Sequence, residues 1–287
     1  MIVLFARQYA EKLIRFTARH EPKIAKYLRS LWLIQAERMA RKEIEYAVTF
    51  QEVPLEWIFA WQQDYARFIN EEIDPRWREA IAEAGDTIEE AIIREVGPFS
   101  FTPTGEKIDF WLRERAATLV RNLTDTQTQA LRNILRHYIV EQPTSPDDLG
   151  RIIRSVVGLT NREALAVARF RDSLLREGVD RQKVEKQTER YIRFLHKQRG
   201  IRIARTEMSY AWNNGEYMAI TQAQEQGILR GRLMKEWITA ADERVCHICG
   251  PADGELVDKE QSFSNGFFIP PAHPNCRCAH AYMLEEV

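Results

Sequence analysis

The four cysteines of this chain all lie between positions 246 and 278. They form a C-x-x-C pair (Cys246, Cys249) and a C-x-C pair (Cys276, Cys278), and His273 stands shortly before the second pair. Two close pairs of nitrogen or sulfur ligands from separate turns are typical of tetrahedral zinc sites. The spacing therefore predicts a metal site, and it offers five candidate ligands for four positions.

The tail that carries these residues has few other means of folding. After Gly231 the sequence changes from helical periodicity to short strand-like runs, LMKEWIT and FFI, separated by turn signals. A unit formed by residues 232–287 buries little apolar surface, and small units of this kind are commonly held together by a metal. Three or four cysteines close the coordination sphere, which favours structural over catalytic zinc.

Other interpretations of the cysteines stay open. Disulfides need an oxidising compartment, but the apolar start MIVLF ends at Arg7, too early for a signal peptide, so we expect a reducing cytoplasm. A redox C-x-x-C would lie in a βαβ pattern, which is not evident around Cys246. Free structural thiols are a third alternative. A zinc-supported nuclease is a fourth, because His247, His273 and His280 lie nearby.

Before this tail the chain has helical periodicity. Pro22 is predicted to open a second helix, while Thr124 and Thr160 each begin a capping box. Gly158 and Gly178 stand where glycines end helices. The later helices are predicted at 108–121, 124–141, 146–157, 161–176, 180–198 and 201–227.

The predicted fold is mostly α: a multi-helix body with a small C-terminal α+β unit held by zinc. A stretch rich in Pro, Gly, Ser and Thr at 97–107 predicts a boundary. We expect three regions, at 1–98, 99–199 and 200–287. The formal net charge of −1 gives no overall attraction to nucleic acid or anionic membranes. No apolar run approaches the roughly 18 residues of a membrane span.

Three motifs go beyond generic zinc chemistry. Arg205-Thr206-Glu207 lies on a predicted helix, W-x-T-x-x-D-x-R-x-C-x-x-C runs from 237 to 249, and P-P-x-H-P-N-C-R-C runs from 270 to 278. In this order they resemble the phage Mu F-like head-morphogenesis family, the minor head proteins of tailed bacteriophages. The resemblance covers about residues 159–282, so the third region is its centre.

The resemblance implies a structural virion protein, present in several copies, that joins the head at the portal vertex. It implies the portal protein as partner, with the major capsid protein and packaged DNA as further partners, and a role in genome packaging or ejection. It further implies a protein that is made in the bacterial host cytoplasm and then resides in the virion. We expect no enzymatic activity. The alternative is a virion-packaged enzyme, either a zinc-supported nuclease or an ADP-ribosyltransferase-like transferase.

Four polar residues of these motifs, Arg205, Glu207, Asp242 and Arg244, are predicted to form a structural network. Arg205 and Glu207 are two positions apart on a helix and therefore point in different directions. We expect each to reach a different part of the C-terminal unit and to connect the helix to the zinc site. A catalytic Glu207 is the less favoured interpretation.

The N-terminal region is predicted to dock a partner. Its tryptophans, Trp32, Trp57, Trp61 and Trp77, are expected to pack against a partner as well as each other. A basic arm is a candidate for contact with DNA or with an acidic portal surface. The alternative is that this arm pairs with the acidic stretch 71–95 of the same chain. The arm runs from Arg7 to Lys42, and its candidate contact residues are Lys12, Arg15, Arg19, Lys23 and Lys26.

Overall fold

The computed structural model describes residues 2–3, 8–141 and 144–285. These residues are mostly helical, as predicted. The helices are α1 (Gln8–Arg38), α2 (Arg41–Phe50), α3 (Leu55–Phe68), α4 (Asp74–Glu95), α5 (Glu106–Arg136), α6 (Pro146–Val156), α7 (Asn161–Arg176) and α8 (Arg181–Glu225). Five-residue π-helical segments follow α3, at Ile69–Ile73, and α5, at His137–Glu141. No helix among these residues combines the length and apolar character of a membrane span.

A small antiparallel sheet accompanies the helices. Its strands are β1 (Ile2–Val3), β2 (Arg232–Ile238), β3 (Leu256–Asp258) and β4 (Ala279–Glu285), in the order β1-β4-β2-β3. The run LMKEWIT forms most of β2, as predicted. The prediction of a strand at FFI (267–269) is wrong, because Phe267 has no regular structure and Phe268 and Ile269 lie in a bend that leads into the proline pair.

Several local signals work as predicted. The Thr160 hydroxyl accepts a hydrogen bond from the Glu163 amide at 3.3 Å, and the Glu163 carboxylate accepts one from the Thr160 amide at 2.9 Å. This capping box begins α7. Gly158 and Gly178 have φ values of 83° and 74°, the left-handed conformation common at helix ends.

Other local signals are overridden. Pro22 lies inside α1 instead of opening a helix, and Thr124 lies inside α5 instead of capping one. The predicted break between 198 and 201 is absent, since α8 is continuous. Residues on both sides of each predicted break are buried, such as Leu119 and Leu131 in α5, so continuing the helix keeps one apolar face in the core.

The described chain divides into two compact units. Unit 1 comprises Met1–Pro22, Glu72–Arg113 and Arg202–Val287, and unit 2 comprises Lys23–Glu71 and Glu114–Ile201. Both units combine segments that are far apart in sequence. The three regions expected from the sequence, 1–98, 99–199 and 200–287, are instead continuous stretches of the chain. That division stays a prediction.

The four N-terminal tryptophans are core residues. In unit 2, the Trp32 indole donates to the Tyr65 hydroxyl at 3.0 Å, and Trp57 and Trp61 are also buried. In unit 1, Trp77 is fully buried. The expectation that these side chains pack against a partner is therefore wrong, because the chain itself covers them.

Candidate metal centre

The sheet brings the two cysteine pairs to one place. Ile238, the last residue of β2, pairs with Ala279, the first residue of β4. The C-x-x-C follows β2, and the C-x-C ends immediately before β4. Because antiparallel strands place the end of one beside the start of the other, both pairs lie at the same end of the sheet.

All five candidate ligands meet at this end. The Cys246, Cys249 and His273 ligand atoms lie within 4.8 Å of one another, and so do those of Cys249, Cys276 and Cys278. The His273 Nε2 atom lies 3.0 Å from the Cys246 sulfur and 3.4 Å from the Cys249 sulfur. Cys249 belongs to both groups and is the centre of the cluster.

The His273 ring is oriented for ligation. Its Nδ1 atom lies 3.0 Å from the Pro274 carbonyl oxygen. An Nδ1–H that donates to this carbonyl leaves the Nε2 lone pair directed at the sulfurs of Cys246 and Cys249. Metal-binding histidines commonly have their second nitrogen held in this way.

The cluster is enclosed by apolar packing. Cys249, Cys276 and Cys278 are buried together with Trp237 and Phe263. The space between the candidate ligands is about 30 Å³. A cavity of this size has room for a single ion and little more.

The thiols influence one another strongly. Hydrogen bonds from Cys249 and Cys278 lower the pKa of the Cys276 thiol well below its usual range, and contacts with Cys276 and Cys278 raise the pKa of the Cys249 thiol far above its usual range. Neighbouring thiolates repel each other, so one ionises at the expense of the next. A cation among them would favour the ionised form of each, and the site could therefore hold a metal ion.

Arg205 and Thr206 connect α8 to the loop that carries His273, Cys276 and Cys278, here called the ligand loop. The Thr206 hydroxyl accepts a hydrogen bond from the Asn275 amide at 2.9 Å, and the Arg205 guanidinium donates to the Asn275 side-chain oxygen at 2.5 Å. Arg205 also donates two hydrogen bonds to Glu21, at 2.7 and 2.9 Å. Asn275 directly precedes Cys276, so these contacts position the second cysteine pair.

The described contacts of the other predicted network residues are not with Arg205. Asp242 accepts two hydrogen bonds from Arg277, at 2.6 and 2.7 Å, and this contact lowers the pKa of Asp242 to about 2. The Arg244 side chain is 75% exposed and lies near Glu243. Glu207 is buried in α8. The described contacts thus connect Asp242 to the ligand loop through Arg277, a different route from that of Arg205.

Glu21, Asn275 and Arg277 are the residues that sequence analysis missed as positioning partners. Asn275 and Arg277 lie within the P-P-x-H-P-N-C-R-C motif, directly beside candidate ligands. This position in the sequence was a signal that could have found them. Glu21 had no such signal, because it is distant in sequence from the motif it contacts.

The basic arm has two kinds of environment. Arg19 lies 3.1 Å from Glu79 and also contacts Glu83, and Lys12 lies 3.6 Å from Glu90. For these two residues the contacts agree with the alternative that the arm pairs with acidic residues of α4. The remaining three, Arg15, Lys23 and Lys26, have exposed side chains.

A buried acid lies behind the sheet. Glu216 accepts a hydrogen bond from the Trp212 indole at 2.8 Å, and its other oxygen lies 3.5 Å from the His280 ring. Burial raises the pKa of Glu216 to about 8 and lowers the pKa of His280 to about 3. The two groups are therefore both mostly neutral near pH 7, and the His280 ring faces Glu216.

We expect Glu216→Gln to stabilise the protein at alkaline pH. The pKa of Glu216 in the folded state lies above the unfolded value of 4.5, so ionised Glu216 is less stable in the folded protein than in the unfolded chain. The contribution of Glu216 to the free energy of unfolding is therefore most favourable below about pH 4.5. This contribution is lost as the pH rises towards 8. Urea unfolding at pH 5 and pH 8.5 should show the variant gaining on the parent by a few kcal/mol at the higher pH.

The control for this experiment is Glu243→Gln, whose parent side chain is 83% exposed. It should leave the pH dependence of the parent unchanged. A Glu216→Gln variant whose pH dependence is as steep as that of the parent would contradict the assignment.

The fold and the cluster together define a class: a helical protein whose C-terminal unit carries a Cys/His site that could hold a metal ion. Residues 169–281 match the family model described as "Phage Mu protein F like protein". Over this stretch the chain is similar to phage Mu F-like proteins, and the resemblance carried by its motifs is confirmed. The match supports a role in phage head morphogenesis and association with the virion. Comparison with curated proteins and with solved structures gave no match.

Proposed function

We propose that this protein is a structural component of the phage head that acts at the portal vertex, with a zinc ion in its C-terminal unit. The observation that carries the proposal is the family match over 169–281, a range that contains the whole Cys/His cluster. The portal protein is its partner in this proposal.

The geometry of the cluster supports zinc. Four sulfurs at about 2.3 Å from a tetrahedral ion lie about 3.8 Å from one another. The sulfurs of Cys249 and Cys276 are 3.8 Å apart. Thiolates combined with an imidazole are a donor set that suits zinc. Cys246, Cys249, Cys276 and either His273 or Cys278 would complete the sphere.

Such a site is a closed one, and its role is to hold the tail together. The ion would connect the loop after β2 to the loop before β4. The hydrogen bonds that Arg205 and Thr206 form with Asn275 would then extend this connection to α8.

A non-enzymatic role is part of the proposal. Glu207 and His280, the residues considered for catalysis, are 3% and 1% exposed, and the His280 ring faces Glu216 rather than the cysteines. Burial of both side chains supports structural roles for them. His247 is exposed, and its replacement by Ala tests the enzyme alternative. We expect particles that carry His247→Ala to infect normally.

We expect the intact chain to copurify with the portal protein of the same phage. The two proteins should be co-expressed, with the tag on the portal protein and with the major capsid protein as the control bait. Retention by the portal bait alone would support action at the portal vertex. Retention by the capsid bait alone, or by neither, would contradict it.

Deletion of residues 1–98 is a poor test of docking. These residues supply parts of both compact units, including the buried Trp32 and Trp77, so their loss would unfold the remaining chain. The portal experiment therefore uses the full chain.

A further inference from the structure

A groove with a volume of about 1140 Å³ lies on the surface of unit 2. Its walls are α2, the loop 51–54, the first turn of α3, and the end of α5 with the π-helical segment that follows it. All of these segments belong to the same compact unit, so the groove is a feature of unit 2 alone.

The connection between α2 and α3 shapes the groove. Gln51 ends α2 with a φ of 55°, and Pro54 precedes the first residue of α3. The Glu43 carboxylate of α2 accepts hydrogen bonds from the Ala40 amide at 2.9 Å and from the Trp57 indole of α3 at 2.8 Å. These contacts hold α2 and α3 together, so both walls are in place before a partner binds.

Large apolar side chains are exposed along the groove. Leu55 and Phe59 are one helical turn apart and form an apolar ridge on α3. Tyr46 lines the groove from α2, and its ring lies 4.7 Å from that of Phe50. With Val140 these make five of the fourteen large hydrophobic side chains that are exposed in the described part of the chain. A contiguous apolar patch of this kind marks an interaction site, and we call it the groove surface.

Unpaired charges border the groove surface, and the two signs lie on different elements. Glu52 of the loop and Glu56 of α3 form an acidic border. Arg132 and Arg136, one turn apart on α5, form a basic border, and Lys42 of α2 is a further cation. All five side chains are exposed, and within the described residues none of them forms a salt bridge. The acidic and basic borders are therefore both free to meet opposite charges on another molecule.

We propose that the groove surface binds the same surface of a second copy of this chain. A twofold axis brings a patch onto itself, so that every contact between two residues occurs twice. The acidic border of each copy then faces the basic border of the other, and the apolar ridge of each α3 lies in the opposite groove. The inference goes beyond the proposed function, because it concerns unit 2 and requires neither the portal protein nor zinc.

The charge pattern favours a second copy over a partner of one charge sign. An acidic partner helix would pair with the basic border but would be repelled by the acidic border, and a basic helix would meet the converse. The twofold contact pairs both borders at once, and like charges across an interface are costly. The apolar ridge and its neighbours supply the water-excluding centre that such an interface needs, with the charges at its rim.

Two double variants of opposite charge provide the main test. Glu52→Lys with Glu56→Lys reverses the acidic border, and Arg132→Glu with Arg136→Glu reverses the basic border. All four positions are exposed, and Lys and Glu both have good helix propensity, so each variant should fold, which circular dichroism will check.

The mass of the purified full chain should be measured by sedimentation equilibrium at about 5 and 100 μM. We expect the parent to approach twice the mass of one chain at the higher concentration. Each variant alone should associate at least tenfold more weakly, because like charges face each other at both contacts. An equimolar mixture of the two variants should associate as the parent does, since opposite charges again meet at both contacts. Mixing cannot restore a pair within one chain, so recovery assigns the contact to two copies.

The apolar part of the surface is tested separately. Leu55→Ser with Phe59→Ser removes the apolar ridge and should leave the chain monomeric. Phe194→Ser is the matched control, because Phe194 is also an exposed aromatic side chain but lies on α8, outside the groove. It should associate as the parent does.

Three results would overturn the proposal. The first is a parent that stays monomeric at the higher concentration, and the second is an association that the charge variants lose but do not recover on mixing. The third is a monomeric parent whose retention by the portal bait is lost in the Leu55→Ser and Phe59→Ser variant, which would assign the groove to the portal protein. A monomeric chain that the portal bait still retains would leave the proposed function standing, so the two proposals fail separately.

Discussion

Cys249→Ser is expected to remove the metal and to unfold the C-terminal tail. Cys249 is buried and is the cysteine common to both ligand groups, so its loss leaves neither group complete. Binding of a structural zinc ion contributes folding free energy on the order of 10 kcal/mol, which is larger than the stability of most small units. Elemental analysis of protein purified under reducing conditions should fall from about one zinc per chain to near zero.

The unfolding should be local. Limited proteolysis is expected to cleave the variant between residues 239 and 278, while the helices of unit 2 stay protected, since they have their own core around Trp32 and Tyr65. His247→Ala is the matched control, because His247 lies within the same C-x-x-C but is exposed. A Cys249→Ser protein that kept both its zinc and its protection would show that the site lies elsewhere.

Gly158→Ala is expected to destabilise unit 2 by about 2–5 kcal/mol. Gly158 has a φ of 83°, where a Cβ atom costs about 1–2 kcal/mol. The added Cβ would also lie 2.2 Å from the Trp32 ring, so that the ring or the backbone must move, and overpacking of this kind costs roughly 1–3 kcal/mol.

Trp32 has little room to move. It is 1% exposed, its indole donates to Tyr65, and its ring lies 5.2 Å from that of His196. The Gly158 amide also donates to Gln127 at 3.0 Å, and the clash would disturb this bond. Thermal unfolding followed by calorimetry should show the transition of unit 2 at a temperature lower by about 10 °C.

Gly178→Ala separates the two causes. Gly178 has a similar φ of 74°, but an added Cβ would meet no atom within 4 Å. This variant should lose only the backbone contribution of about 1–2 kcal/mol. Equal destabilisation by the two substitutions would mean that Trp32 yields to the added methyl group without cost.

Short-range patterns determined much of this protein. The Cys/His spacing predicted the candidate metal centre, since ligand pairs close in sequence need only a turn to converge. The capping box at Thr160 and the glycine at 158 predicted helix limits for the same reason, because each acts through its own backbone. The motifs between 205 and 278 also carried the resemblance to the phage Mu F-like family, and the match over 169–281 bears this resemblance out.

Tertiary structure decided whether helices continue. The signals at Pro22 and Thr124 are local preferences of a few kcal/mol at most, and burial of a continuous apolar face outweighs them. Core packing likewise covers Trp32 and Trp77, which from sequence could equally have faced a partner.

Tertiary structure also decided which charges are paired. Arg205 meets Glu21 and Asn275, and Arg19 meets Glu79, across separations that no sequence pattern encodes. An exposed cation on a helix looks the same in sequence whether an acidic helix packs beside it or not. The sequence by itself therefore determined the candidate metal site and the helical class, whereas the partners of Arg205 and Arg19 depend on which helices the folded core brings together.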